Sequence, residues 1–257
     1  MPLAAGATSP LFGVSTELTE FDVIDNVLLS IDPVTGTATE IGDITGYDTI
    51  NGLAYDVNTD TLYAVNSGLN VQDPNGDVLL TLDPLTGAPT LIGQLETSLV
   101  NGLTFDPDTN TLFGVESVND NLLTIDTATG LATPVGATGF QAVNGLTYDP
   151  DTGTLYGVDN SADVLIAIDP NTGAGTEVGP LTLGGLRGVT FDANSAQLFG
   201  VDNITDQLVS IDTNTGNATG IGPLGFDNVL GLTSVPEPAA LGVLGVTGLV
   251  LTRRRQP

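Results

Sequence analysis

Apolar positions in this chain fall into short runs, four to a unit, and the unit recurs. The stretch VNGLTYDPDTGTLYGVDNSADVLIAIDPNTGAGTEVG, from Val143 to Gly179, shows the pattern most fully. Its runs GLTYD, TLYGV, VLIAID and GTEVG have strand length and a strand-like residue choice. Turn formers separate them. Asp149-Pro150-Asp151-Thr152-Gly153 supplies a side-chain acceptor, a fixed φ and a glycine free to take positive φ. Asp169-Pro170-Asn171-Thr172-Gly173 repeats the device between the third and fourth runs. Segments starting Asn51-Gly52-Leu53, Asn101-Gly102-Leu103, Asn144-Gly145-Leu146 and Arg187-Gly188-Val189 align on glycines 50, 43 and 43 residues apart, and Gly231 follows 43 later. Four strands at this period predict the blade of a β-propeller.

The chain starts out of phase with its repeat. Residues 11–42 supply only second, third and fourth strands, LFGV, VLLSID and TATEIG. The missing first strand stands at the other end, as Val229-Leu230-Gly231-Leu232-Thr233-Ser234. The predicted fold is therefore all-β: four complete blades and one split blade, closed by the C-terminal strand into a five-bladed ring over residues 11–235. An open solenoid would leave the split blade unexplained. Aromatics such as Tyr148 and Tyr156, or Phe191 and Phe199, are expected to fill the space between blades. Blades so alike in sequence resemble the YVTN and related bacterial surface propellers in a general way.

Charge narrows the partners. Residues 1–234 hold 30 acids and a single base, Arg187, for a formal charge of −29. Such a surface repels nucleic-acid phosphates and anionic lipid. The chain has no Cys, His or Trp, which removes disulfides, thiolate chemistry and zinc sites built on His or Cys. It also has no Lys, so the usual activated nucleophiles are missing.

The tail, from Val235 to Pro257, differs from everything before it. Val235-Pro236-Glu237-Pro238 leads into an apolar run, Ala239 to Thr252, and then Arg253-Arg254-Arg255. That run predicts a short transmembrane helix over 239–252, with the arginines on the cytoplasmic side. It is shorter than the usual span of about 20 residues. Pro-Glu-Pro, apolar helix and terminal arginines in this order resemble the PEP-CTERM sorting signal. That type of tail also carries the label ice-binding-protein C-terminal domain, which implies no ice binding upstream. The resemblance implies handling by an exosortase, a membrane protease that cuts near the motif, and export across the inner membrane to the cell surface or matrix. Residues 1–10 form an N-terminal segment without a basic or apolar leader; Ala4-Ala5-Gly6-Ala7 resembles the end of a signal peptide whose remainder would lie upstream.

Candidate binding residues gather at one mouth of the predicted channel. First strands start there with Asn51, Asn101, Asn144, Arg187 and Leu230, and second strands end there with Ser15, Asn66, Glu116, Asp159 and Asp202. The plain reading is that these polar residues finish strands at solvent. The functional reading is an oxygen-rich ligand face for a glycan, exopolysaccharide or protein, or for Ca²⁺, which takes about six to eight oxygen ligands. Arg187 is expected to pair with neighbouring acids; its alternative role is to grip an anion. Two stretches break the repeat on this face, Ser15 to Asn26 and Ser67 to Asp77. Asp56 to Asp60, Asp106 to Asn110 and Asp149 to Gly153 have calcium-loop-like spacing but lack the downstream Glu of an EF-hand, and Asp192 to Ala196 ends without an oxygen ligand. They read as hairpin turns. The expected function is thus a non-catalytic surface binding or structural module. The alternatives are a calcium-bridged surface protein and a glycoside hydrolase using channel carboxylates.

Overall fold

The structure, a computed structural model, describes residues 8–18, 24–67 and 76–236. The proposed helix at 239–252, together with Glu237, Pro238, Arg253, Arg254 and Arg255, lies outside the described residues. So do 1–7, 19–23 and 68–75. Twenty strands form five antiparallel sheets of four, and no helix occurs among the described residues.

Blade 1 joins the two ends of the chain. It contains β1 (Leu11–Leu18), β2 (Ile24–Ile31) and β3 (Ala38–Ile44), with β20 (Val229–Ser234) on the inner edge of β1. Blade 2 runs outward through β4 (Ile50–Asp56), β5 (Thr61–Asn66), β6 (Val78–Leu82) and β7 (Pro89–Gln94). Blade 3 consists of β8 (Val100–Asp106), β9 (Thr111–Glu116), β10 (Asn121–Ile125) and β11 (Ala132–Ala137). Blade 4 follows with β12 (Val143–Asp149), β13 (Thr154–Asp159), β14 (Val164–Ile168) and β15 (Gly175–Pro180). Blade 5 has β16 (Leu186–Asp192), β17 (Gln197–Asp202), β18 (Gln207–Ile211) and β19 (Ala218–Pro223). The inner strands β4, β8, β12, β16 and β20 touch in turn, and β20 meets β4. The ring is closed, with the closing strand at the predicted residues.

Five apolar clusters lie in the five gaps between blades. In one of them Phe113, Val115 and Leu122 of blade 3 meet Val143, Leu155 and Ile166 of blade 4. The gaps are all fastened at the periphery, and three of the five also near the axis. Near the axis, the Thr104 hydroxyl accepts a hydrogen bond from the Tyr148 amide of the next blade at 2.9 Å. Thr147 accepts from the Phe191 amide and Thr190 from the Ser234 amide, both at 2.8 Å. Blade 2 has Ala54 at this position, with no hydroxyl to offer. At the periphery, the turn glycine of one blade rests on a strand glycine of the blade before it. A Cβ on Gly93 would stand 2.0 Å from the Thr129 carbonyl oxygen, and one on Gly222 would stand 2.1 Å from that of Thr35. The Thr-Gly pairs therefore serve an interblade contact as well as a turn.

Register breaks recur at two places in the blades. On the outer strands the bulged residues are Ile41, Ile92, Val135, Val178 and Ile221, which turn back onto the interblade clusters. On inner strands the bulges fall at Asn51, Asn101, Asn144 and Arg187, whose partners skip in register. A bulge frees a side chain from strict alternation and re-aims it. Those four residues belong to the predicted channel-mouth set.

Candidate functional site

The mouth at which inner strands begin is built from two rings of residues. Asn51, Asn101, Asn144, Arg187 and Leu230 form the first; the Asn residues and Leu230 are half-buried and Arg187 is exposed. The second consists of Thr16, Ser67, Ser117, Asn160 and Asn203, each one residue beyond the predicted end of a second strand. Their amides donate to the loop carbonyls of Asn228, Thr49, Leu99, Ala142 and Gly185, which holds the second ring against the first. One side-chain bond bridges the rings, Asn101 Nδ2 donating to Ser117 Oγ at 2.7 Å, and within the first ring Asn51 Nδ2 reaches Asn101 Oδ1 at 3.5 Å. Asn144 Nδ2 donates to the Ala142 carbonyl at 3.1 Å.

The second ring was not anticipated from sequence. Asn160 Oδ1 and both amide atoms of Asn203 are buried and find no hydrogen-bond partner among the described residues, whereas the Ser67 hydroxyl is a partner of the Asp77 carboxyl. Buried polar atoms are almost always paired, so each of these needs an explanation. The signal for them is their fixed place after the second strand, which only the glycine-aligned repeat makes visible.

The four predicted second-strand residues behave differently from expectation. Asn66, Glu116, Asp159 and Asp202 are buried rather than finishing strands at solvent. Burial is tolerated because loop donors saturate their oxygens. Glu116 Oε2 accepts from the amides of Val118 at 2.6 Å and Asn119 at 2.9 Å. Asp202 accepts from the Ile204 amide at 2.9 Å and the Thr205 hydroxyl at 2.6 Å, and Asn66 Oδ1 from the Thr49 amide at 3.0 Å. Burial works against the Asp159 charge. The Ser161 hydroxyl and the amides of Ala162 and Ser161 prevail, however, and hold its carboxyl below the usual value. These groups organise loops. The two irregular stretches also resolve differently. Ser15 to Asn26 is largely an extended ladder, with Thr16 opposite Asn26 and Leu18 opposite Ile24. Most of the other, 68–75, lies outside the described residues, but Asp77 beside it is buried. Burial raises its carboxyl above the ordinary range, although the Val100 amide donates to it at 2.7 Å.

Arg187 corrects a second expectation. Its guanidinium makes no ion pair or hydrogen bond with another described residue. Among the described residues no acid pairs with it at the mouth.

The calcium-loop-like turns sit at the opposite face, and their leading acids are occupied. Asp56 accepts from the Asn58 amide at 2.8 Å and the Thr59 hydroxyl at 2.5 Å; Asp106 accepts from the Asp108 amide at 2.9 Å and the Thr109 hydroxyl at 2.6 Å. The fifth turn position has a backbone role. Asp60, Asn110, Gly153 and Ala196 have φ of 58°, 53°, 67° and 53°, the left-handed conformation that Asp, Asn and Gly accept most readily. That opposite mouth encloses a cavity of about 120 Å³, lined by Tyr55, Phe105, Tyr148, Phe191, the threonine rungs and Pro236. Tyr148 and Phe191 thus divide their surface between an interblade gap and the cavity. Pro236, the last described residue, thus lies at this mouth.

Ring closure, four-stranded blades and the threonine and glycine fastenings define a five-bladed β-propeller. The chain belongs to the family described as a repeat of unknown function (DUF6923), whose model matches residues 46–220. That span covers blades 2 to 5 almost completely, leaving outside it the split blade that closes the ring. No curated protein sequence matches the chain. Among solved structures, the crystal structure of a nidogen/laminin complex aligns with a TM-score of 0.62 at 20% identity, over 88% of this chain and 82% of that one. A structural genomics protein of unknown function from Bacteroides thetaiotaomicron aligns with a TM-score of 0.56 at 16% identity, over 82% of this chain and 57% of that one. At these identities the likeness concerns the fold.

Proposed function

We propose that this propeller is a non-catalytic binding module displayed outside the cell, engaging its partner at the Asn51–Arg187 mouth. The observation that carries the reading is the separation of two mouths. Pro236, which precedes the tail in sequence, lies at one, and the amide-rich rings occupy the other. A tail of the PEP-CTERM kind, held in the membrane before an exosortase cuts it, would turn the amide-rich mouth outward. The nidogen/laminin complex gives a precedent for a similar fold in an assembly between proteins. Glycoside hydrolysis gains no support from the channel. No Asp or Glu lines the cavity, and Glu116, Asp159 and Asp202 spend their oxygens on their own loops.

The chain has no cysteine, so single reporters test the orientation. Ile204→Cys lies on the outward face and Ala193→Cys beside the tail. With a membrane-impermeant maleimide on intact cells making the full chain, Ile204→Cys should label several-fold faster. Equal labelling at both sites, or no surface labelling at all, overturns the reading.

A further inference from the structure

The two rings at the outward mouth contain ten positions. Eight carry an amide or hydroxyl, one is Leu230, one is Arg187, and none is acidic. This exclusion occurs in a chain segment with 30 acids and one base. Acids stand close by: Asp48, Asp227 and Glu96 on the strand-four loops, and Asp120, Asp163 and Asp206 on the second-to-third-strand loops. Glu116, Asp159 and Asp202, which directly precede second-ring residues, are buried and bonded to their own loops. The sole base of the propeller stands within the rings, exposed and without an ion pair or hydrogen bond to another described residue.

From this placement we infer a binding site for a carboxylate-bearing, hydroxyl-rich ligand, an acidic sugar of the uronate type. Arg187 supplies a planar, permanently charged fork that matches a carboxylate. Asn160 Oδ1 and the Asn203 amide are buried atoms lacking partners among the described residues. Sugar hydroxyls donate and accept at once, which is what carboxamide groups require of a partner. Leu99, Val118 and Ile204 are exposed on the same face and offer aliphatic surface to the C–H faces of sugar rings. An acidic peptide would satisfy Arg187 but leaves the orphaned groups of blades 4 and 5 without a purpose. This inference deepens the binding-module reading by naming a ligand class.

The net charge gives the site an unusual salt dependence. The domain as a whole repels an anion over long range, whereas the contact with Arg187 is short. Salt screens interactions beyond about 8–10 Å at physiological strength and close contacts much less. Uronate affinity should therefore rise, not fall, on going from low salt to about 0.15 M.

Calorimetric titration of the purified full chain with a galacturonate trisaccharide tests this, with the neutral galactose trisaccharide and tri-glutamate as comparators. The expected result is uronate binding at least tenfold tighter than either comparator. Arg187→Gln should lose about tenfold, consistent with one charge-assisted contact. Arg187→Lys should recover part of it. Asn203→Ala should weaken uronate while leaving the melting temperature unchanged or higher, because it deletes orphaned atoms. Preference for tri-glutamate would replace the sugar by an acidic peptide and overturn the assignment. So would uronate binding that ignores Arg187→Gln. Absence of uronate binding with the surface-labelling pattern intact would remove the ligand class and leave the display reading standing.

Discussion

Ser9 is tied to Asp192 by two hydrogen bonds across 183 residues of sequence. Its amide donates to Oδ2 at 3.1 Å and its hydroxyl to Oδ1 at 2.8 Å. The same carboxylate accepts from Ser195 Oγ at 2.6 Å and, more weakly, from Ser234 Oγ at 3.4 Å. Beside it the Val235 amide donates to the Pro10 carbonyl at 3.0 Å. Asp192 began as a repeat residue like Asp56 or Asp149, which close only their own turns. In blade 5 it also gathers both ends of the chain.

Asp192→Ala should therefore cost more than the equivalent change elsewhere. It strands several donors at once, and a loss of about 3 kcal/mol is expected against about 1–2 for Asp56→Ala. Ser9→Ala should cost about 1 kcal/mol. Urea unfolding of the three variants checks the order; equal losses for Asp192→Ala and Asp56→Ala would deny the clasp.

The threonine rungs can be removed and added. Thr147→Val keeps the shape but withdraws the acceptor from the Phe191 amide, at an expected cost of about 1–2 kcal/mol. Ala54→Thr supplies the rung that blade 2 lacks and should raise stability by a few tenths to about 1 kcal/mol. Thermal melts of both variants, with the double variant to test additivity, read the effect directly.

Backbone demands separate two kinds of small-residue position. Ala196 holds a φ of 53° at an exposed turn, so Ala196→Gly should stabilise by about 1 kcal/mol by releasing left-handed strain. Gly93→Ala should fail instead, because the Thr129 carbonyl of the next blade occupies the space a Cβ needs. Gly139→Ala, with positive φ but nothing near, should cost only about 1 kcal/mol. Differential scanning calorimetry should rank Ala196→Gly, the parent, Gly139→Ala and Gly93→Ala in descending melting temperature.

Two buried carboxyls should give opposite pH signatures. Burial raises the Asp77 carboxyl, so the folded state binds its proton more tightly than the unfolded chain does. Its contribution is most favourable at low pH and is lost as pH rises through the folded value. Asp159 is held below 3.8, so its contribution is present above that value and lost as pH falls through the lower folded one. Relative to the parent, Asp77→Asn should gain stability at neutral pH and lose that advantage on acidification. Asp159→Asn should be less stable at neutral pH and converge with the parent in acid. Denaturation curves between pH 3 and 7 compare them, and parallel profiles for both variants would refute the assignment.

The architecture was readable because its determinants are local. Alternation along a strand and turn chemistry between strands located the closing strand at Val229–Ser234, and the missing first strand of blade 1 required ring closure. What escaped notice depends on neighbours distant in sequence. The contact of Gly93 with Thr129 joins two blades, and no local rule distinguishes it from a turn glycine. The inner bulges at Asn51, Asn101, Asn144 and Arg187 appear only when two strands are set side by side. Arg187 is expected to find an acid because acids are abundant, yet no described acid pairs with it. Asn66, Glu116, Asp159 and Asp202 were assigned to the right face. Their burial follows from loops that fold back on them, which strand patterning does not reveal.

The pairing of β20 with β1 also sets a schedule. A chain made from its N-terminus lays down three strands of blade 1 first, and the inner edge of β1 stays unpaired through the synthesis of four further blades. Only the arrival of Val229 to Ser234 covers it. Completion of the ring is therefore a late event, and it coincides with delivery of the residues that immediately precede the tail.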